Sequence, residues 1–104
     1  MKREEINKRV VIVDICLTNL ARKTLGEPEG VTIEEIQSDQ ESKKWESPLR
    51  SEEIKRIFED AITEGLIQEN EPGKFWATEK GTRYAKEERT KEAMRLILLG
   101  QQTM

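Results

Sequence analysis

The side chains best suited to chemistry in this chain are few. Cys16 is the only cysteine and histidine is absent, which excludes an internal disulfide, a Cys/His zinc site and any nucleophilic triad built on histidine. Carboxylates are abundant, and adjacent pairs include Glu4 with Glu5, Glu34 with Glu35, and Glu87 with Glu88. Neighbours on a helix point apart by about 100°, so these pairs are not aimed at one substrate bond, and nothing around them suggests a pocket. The chain is therefore expected not to be an enzyme and to hold no cofactor or metal. Cys16 lies in an apolar run without a cation cluster to lower its pKa, and reads as a small buried hydrophobe.

What remains is charge and a few aromatic rings. Eighteen Lys and Arg against 21 Asp and Glu give a net charge of -3. The molecule as a whole has no long-range attraction for a polyanion, and any nucleic-acid contact must come from a local basic patch. Residues 27–41 hold Glu27, Glu29, Glu34, Glu35, Asp39 and Glu41 with no Lys or Arg, so that stretch is excluded from such a patch. Phe75 and Trp76 point to opposite faces if they lie on a strand, so one is expected in the core and the other half exposed. Trp45 is expected to tether its polar surroundings to the core.

The elements that must position these groups follow from length and periodicity. A chain of 104 residues with 35% hydrophobic content suits one core, and its apolar residues are gathered into periodic runs, unlike those of a disordered chain. One domain over 1–104 is expected. The basic N-terminus precedes an apolar stretch, but Asp14 interrupts it and no small-residue cleavage site follows. No run approaches the roughly 18 apolar residues of a membrane span. The expectation is a soluble, cytoplasmic protein without a membrane partner.

Ile6, Val10, Val13, Leu17 and Leu20 or Ala21 have helical spacing and predict an N-terminal helix within 1–25. Val11, Ile12, Ile15 and Cys16 widen its apolar stripe beyond what one small core requires, so part of the helix is expected to face another subunit. The GEPEG run, 26–30, must stop it. Thr32 and Glu35 have the spacing of a capping box, and Ile33 and Ile36 give a short second helix its apolar face. Residues 37–46 either extend that helix or form a loop.

A third helix begins between Ser47 and Ser51, buries Leu49, Ile54, Ile57, Phe58, Ala61 and Ile62, and ends at Gly65. Residues 66–69 and 74–77 read as strands around the turn-forming 70–73. Thr78 then caps a long final helix, 78–100, with Tyr84, Ala85, Ala93, Met94, Ile97 and Leu98 as apolar positions.

Helix, short helix, helix, hairpin, long helix is the order of a winged helix-turn-helix domain. The stretch RSEEIKRIFEDAITEGLIQENEPGKFWATEKGTRYAKE resembles the recognition helix, wing and final-helix start of small prokaryotic winged-helix transcription regulators of the MarR, PadR and ArsR kind. The pieces that carry the resemblance best are Gly65-Leu66-Ile67 and Thr78-Glu79-Lys80-Gly81. It runs from about Arg50 to Lys86, more loosely over Val31 to Ile36, and covers roughly half the chain. The resemblance implies a mainly α fold with a small β-hairpin: a winged helix-turn-helix over 31–77 between long N- and C-terminal helices. It also implies a sequence-specific DNA-binding transcriptional regulator.

In that fold the N-terminal exposed side chains of the recognition helix enter the major groove, where Arg and Lys reach guanine edges and Ser bonds bases or phosphates. Carried over, these positions are Arg50, Ser51, Lys55 and Arg56. Lys43 and Lys44 upstream, Lys74 at the wing tip, and Lys80 and Arg83 at the start of the final helix are implied phosphate contacts. Glu52, Glu53, Glu59, Glu69 and Glu71 oppose them. A second reading therefore stands beside the first: a winged-helix module that binds protein through Trp45, the wing or the acidic 27–41 segment. The terminal helices carry more apolar surface than one small core covers. A homodimer through Val13, Leu17, Met94, Ile97 and Leu98 is expected, presenting two recognition helices to a pseudo-palindromic duplex.

Overall fold

Two apolar stripes compete for the core on the first helix, and the structure reverses their expected order. The computed structural model describes residues 3–42 and 49–102, so the expectations for Lys43, Lys44, Trp45 and a Ser47-Pro48 helix start lie outside the described residues. Its elements are α1 (Arg3–Thr24), α2 (Ile33–Ser42), α3 (Ser51–Thr63), β1 (Ile67–Glu71), β2 (Lys74–Ala77) and α4 (Glu79–Gln102). The fold is mainly helical with one two-stranded antiparallel hairpin.

On α1 the fully buried set is Val11, Ile12, Ile15 and Cys16. Ile6 and Val10, expected to face inward, are 47% and 43% exposed, and Val13 and Leu17 pack half-buried against the core. The two sets lie on roughly opposite sides of the helix. Spacing ranks them equally; what separates them is that α1 packs against α2, α3, β2 and α4, and the inner side is the one those neighbours surround.

After α1 the chain is fastened to the helix it has just left. The Arg22 guanidinium donates to the Gly30 carbonyl at 3.0 Å and to the Glu35 carboxylate. Asn19 donates to Glu29 O at 3.2 Å and accepts the Ala77 N–H at 3.2 Å. These bonds seat Val31 beside β2, where it exchanges backbone bonds of 2.8 and 3.0 Å with Phe75. The Thr32 hydroxyl accepts the Glu35 N–H at 3.1 Å, as the capping spacing implied. Of the two possibilities for 37–46, the helix continues to Ser42.

Arg50 occupies the N-cap position of α3, and the Glu53 carboxylate accepts its N–H at 3.3 Å. Ile54, Ile57, Phe58 and Ala61 are buried with Leu49, but Ile62 is 40% exposed because it falls off the stripe in the last turn. Gly65 ends the helix at φ 75°, a conformation in which a Cβ is strained. The bonds Gly65 N–H to Ile62 O and Leu66 N–H to Ala61 O complete a Schellman cap.

The hairpin pairs Ile67 with Ala77, Gln68 with Trp76, Glu69 with Phe75 and Glu71 with Lys74, with an irregularity between Glu69 and Glu71. β1 thus runs two residues past the expected strand, and the connection shrinks to Pro72-Gly73. Phe75 is buried and meets Phe58 edge-on, with centroids 4.8 Å apart and planes at 76°. Trp76 takes the other face, half-buried over Gly30.

The end of α3 and the start of α4 are clamped together. Lys80 Nζ donates to Glu64 O at 2.9 Å, the Thr78 hydroxyl to Gly65 O at 2.6 Å, and the Thr78 N–H to Leu66 O at 3.0 Å. The same hydroxyl accepts the Gly81 N–H at 3.0 Å and caps α4. Three carbonyls of the turn that follows α3, those of Glu64, Gly65 and Leu66, are thereby satisfied. Ala85 is buried against the core, but every residue of α4 from Arg89 to Gly100 is exposed. Among the described residues no helix is long and apolar enough to cross a membrane.

Candidate functional site

The outer face of α3 is set by the same stripe that buries the inner one. With Ile54, Ile57, Phe58 and Ala61 inward, a 3.6-residue period turns Glu52, Lys55, Arg56, Glu59 and Thr63 outward, and all five are exposed. Lys55 and Arg56 make no ion pair among the described residues, whereas Arg50 Nε lies 3.9 Å from Glu53. Glu52 precedes Arg56, and Lys55 precedes Glu59, by four residues, so each cation has an acid one turn away on the same surface. The face is mixed in charge, and Ser51 is exposed at its N-terminal edge.

Of the other nominated cations, Lys74, Lys80 and Arg83 are engaged elsewhere in the fold. Lys74, expected at the wing tip, opens β2 half-buried, and its Nζ sits 3.3 Å from Glu29 and 3.9 Å from Glu71. The shortened turn puts Lys74 opposite Glu71, so two carboxylates already surround the charge offered for phosphate. Lys80 caps the last turn of α3 through Glu64 O, and Arg83 lies 3.9 Å from Glu79 on its own helix. Thirteen residues of α3 separate this end from Arg50, roughly 20 Å at helical rise. Lys80 and Arg83 therefore do not join Arg50 and Ser51 in one patch.

Between α1 and α2 lies an open cleft of about 560 Å³ lined by Asp14, Thr18, Arg22, Val31, Glu34, Glu35, Ile36, Ser38 and Asp39. Among the described residues its lining holds Asp14, Glu34, Glu35, Asp39 and one guanidinium, that of Arg22, which is bonded to Glu35. Among the described residues no group of His, Cys, Asp or Glu is arranged to hold a metal ion. The Cys16 thiol is buried against Gly81, and burial raises its pKa to about 11. The Tyr84 hydroxyl is also raised, first by burial and then by Glu88.

The residues nominated for association divide in two. Val13 and Leu17 are held against the chain's own core. Met94, Ile97 and Leu98 stand on the projecting part of α4 at 59%, 60% and 57% exposure, joined by Leu96 at 61% and Leu99 at 51%. The other large apolar side chains left exposed among the described residues are Ile6, Val10, Leu25 and Ile62. Leu96 and Leu99 were legible in the apolar AMRLILLG run; Gln40, buried beneath the start of α3, gave no signal in a stretch that reads as polar. Comparison with protein-family models, with curated proteins and with solved structures finds no match to this chain.

Proposed function

We propose that the chain is a cytoplasmic winged helix-turn-helix protein that binds duplex DNA as a homodimer and regulates transcription without catalysing a reaction. The observation that carries this reading is the outer face of α3, where Ser51, Lys55 and Arg56 stand exposed while the opposite face is locked to the core. The element order supports it: α2 and α3 form a helix pair, followed at once by a hairpin whose β2 is backed by Val31. Lys55 and Arg56 can neutralise few phosphates per protomer, so useful affinity requires two copies on one duplex. The uncovered apolar part of α4 supports that pairing, because a helix apolar on nearly all sides is stable in water only when covered.

A salt titration of gel retardation on genomic fragments tests the reading. Binding to a specific fragment should weaken with salt with a log–log slope of about -0.9 per phosphate neutralised, so a slope of roughly -2 to -4 is expected for a dimer using these two cations. Absence of retardation near 50 mM salt sinks it.

A second reading has its own support. Arg50, Lys74, Lys80 and Arg83 all have partners within the chain, and the α1–α2 cleft is acidic. A protein-binding module with a basic partner fits these facts. It retains the fold and the dimer, and replaces DNA retardation by none.

A further inference from the structure

Gln40, in the last turn of α2, is the one buried polar side chain among the described residues, at 2% exposure. Its Oε1 accepts the Leu49 N–H at 2.8 Å. Its Nε2 has no hydrogen-bond partner among the described residues. Leu49 directly precedes the Arg50 cap of α3, at a helix start where N–H groups have no intrahelical acceptor. Gln40 therefore satisfies a donor that the helix cannot.

The two ends of this amide act in opposite senses. The acceptor relieves one buried donor, and the NH₂ group creates another; a buried donor left unmade costs more than a typical hydrogen bond contributes. An apolar side chain of the same length removes the second penalty and restores the first. Global stability is then nearly balanced between the two side chains. What differs is whether Leu49, and Arg50 beside it, is held in one place.

We propose that Gln40 is a positioning residue for the N-terminal turn of α3: it sets where Leu49, Arg50 and Ser51 stand, and contributes to the geometry of that turn more than to the stability of the fold. Its use in recognition rests on the DNA-binding reading; the bond to Leu49 does not.

Amide hydrogen exchange on the full chain, read by NMR without DNA, tests it. In the native protein the Leu49 amide should be protected at least about tenfold relative to an unstructured amide, although it lies outside α3. In Gln40→Met, and in Gln40→Leu as a second apolar replacement, Leu49 should exchange about tenfold faster, the loss of roughly one hydrogen bond. The amides of Phe58 and Ile67 should keep their native rates. An unprotected Leu49 in the native protein overturns the proposal. So does unchanged Leu49 exchange in the variants, or equal acceleration of all amides, which makes Gln40 an ordinary core residue. A protein that fails to bind DNA can still pass this test, so the two failures are distinct.

Discussion

Gly81 of α4 lies so close to Leu66 that a Cβ on it would stand 1.9 Å from the Leu66 carbonyl oxygen and 2.8 Å from its carbonyl carbon. The obstruction is backbone, already bonded to the Thr78 N–H, so it cannot swing aside as a side chain would. Gly81→Ala should destabilise the protein by at least about 3 kcal/mol or prevent folding, the upper range for overpacking. A denaturant midpoint within about 1 kcal/mol of the parent would show that α4 can shift at little cost.

Lys80 at the same junction and Lys55 on the outer face of α3 should respond differently to removal. Lys80→Ala removes the cap on Glu64 O and should lower stability by about 1 kcal/mol, with little change in the salt slope of DNA binding. Lys55→Ala and Arg56→Ala should leave the melting temperature within a few degrees and reduce the slope by about one for each phosphate no longer neutralised, up to about two for a symmetric dimer. The reverse pattern would move the DNA face to the other end of α3.

Association should be sensitive to charge on the projecting part of α4. Met94→Glu with Ile97→Glu places carboxylates at positions about 60% exposed, where the isolated fold has little to lose. Sedimentation velocity at micromolar concentration should show dimer for the parent and monomer for the double variant, with unchanged circular dichroism. A monomeric parent contradicts the homodimer directly.

Stability should fall in alkali through Cys16. Its thiol pKa is raised by burial from 9.0 to about 11, so the unfolded chain releases this proton first as pH rises. The contribution is fully present below about pH 9 and is lost as pH rises toward 11, by up to about 2 kcal/mol. Cys16→Ala removes this component while costing packing of its own. The parent-minus-variant difference in unfolding free energy should therefore shrink between pH 9 and 11, and a difference constant over that window rejects the assignment. A thiol reagent at pH 8 should label Cys16 only on unfolding.

Local rules carried much of the architecture because they act over a few residues. The Thr32 cap, the Gly65 stop, the Phe75/Trp76 alternation and the Thr78 cap are each decided by backbone conformation or by bonds within one turn. The boundary of α2 was open because residues 37–46 contain no breaker. The length of the hairpin turn was obscured because Asn70 and Pro72-Gly73 favour turns and bracket Glu71, yet the pairing of Glu71 with Lys74 adds residues 70 and 71 to a strand.

By itself the sequence determined four helices and a hairpin, the low supply of catalytic groups, and the excess of apolar surface at the end of the chain. Periodicity, turn chemistry and composition are properties of neighbouring residues. Only the tertiary structure decided which stripe of α1 is core, because both have helical spacing and the choice depends on what surrounds the helix. It alone separated the lysines that hold the fold from those left at the surface. Lys74 and Lys80 look like Lys55 in sequence, but Glu29 and the Glu64 carbonyl meet them across 45 and 16 residues, a separation over which no local pattern carries information.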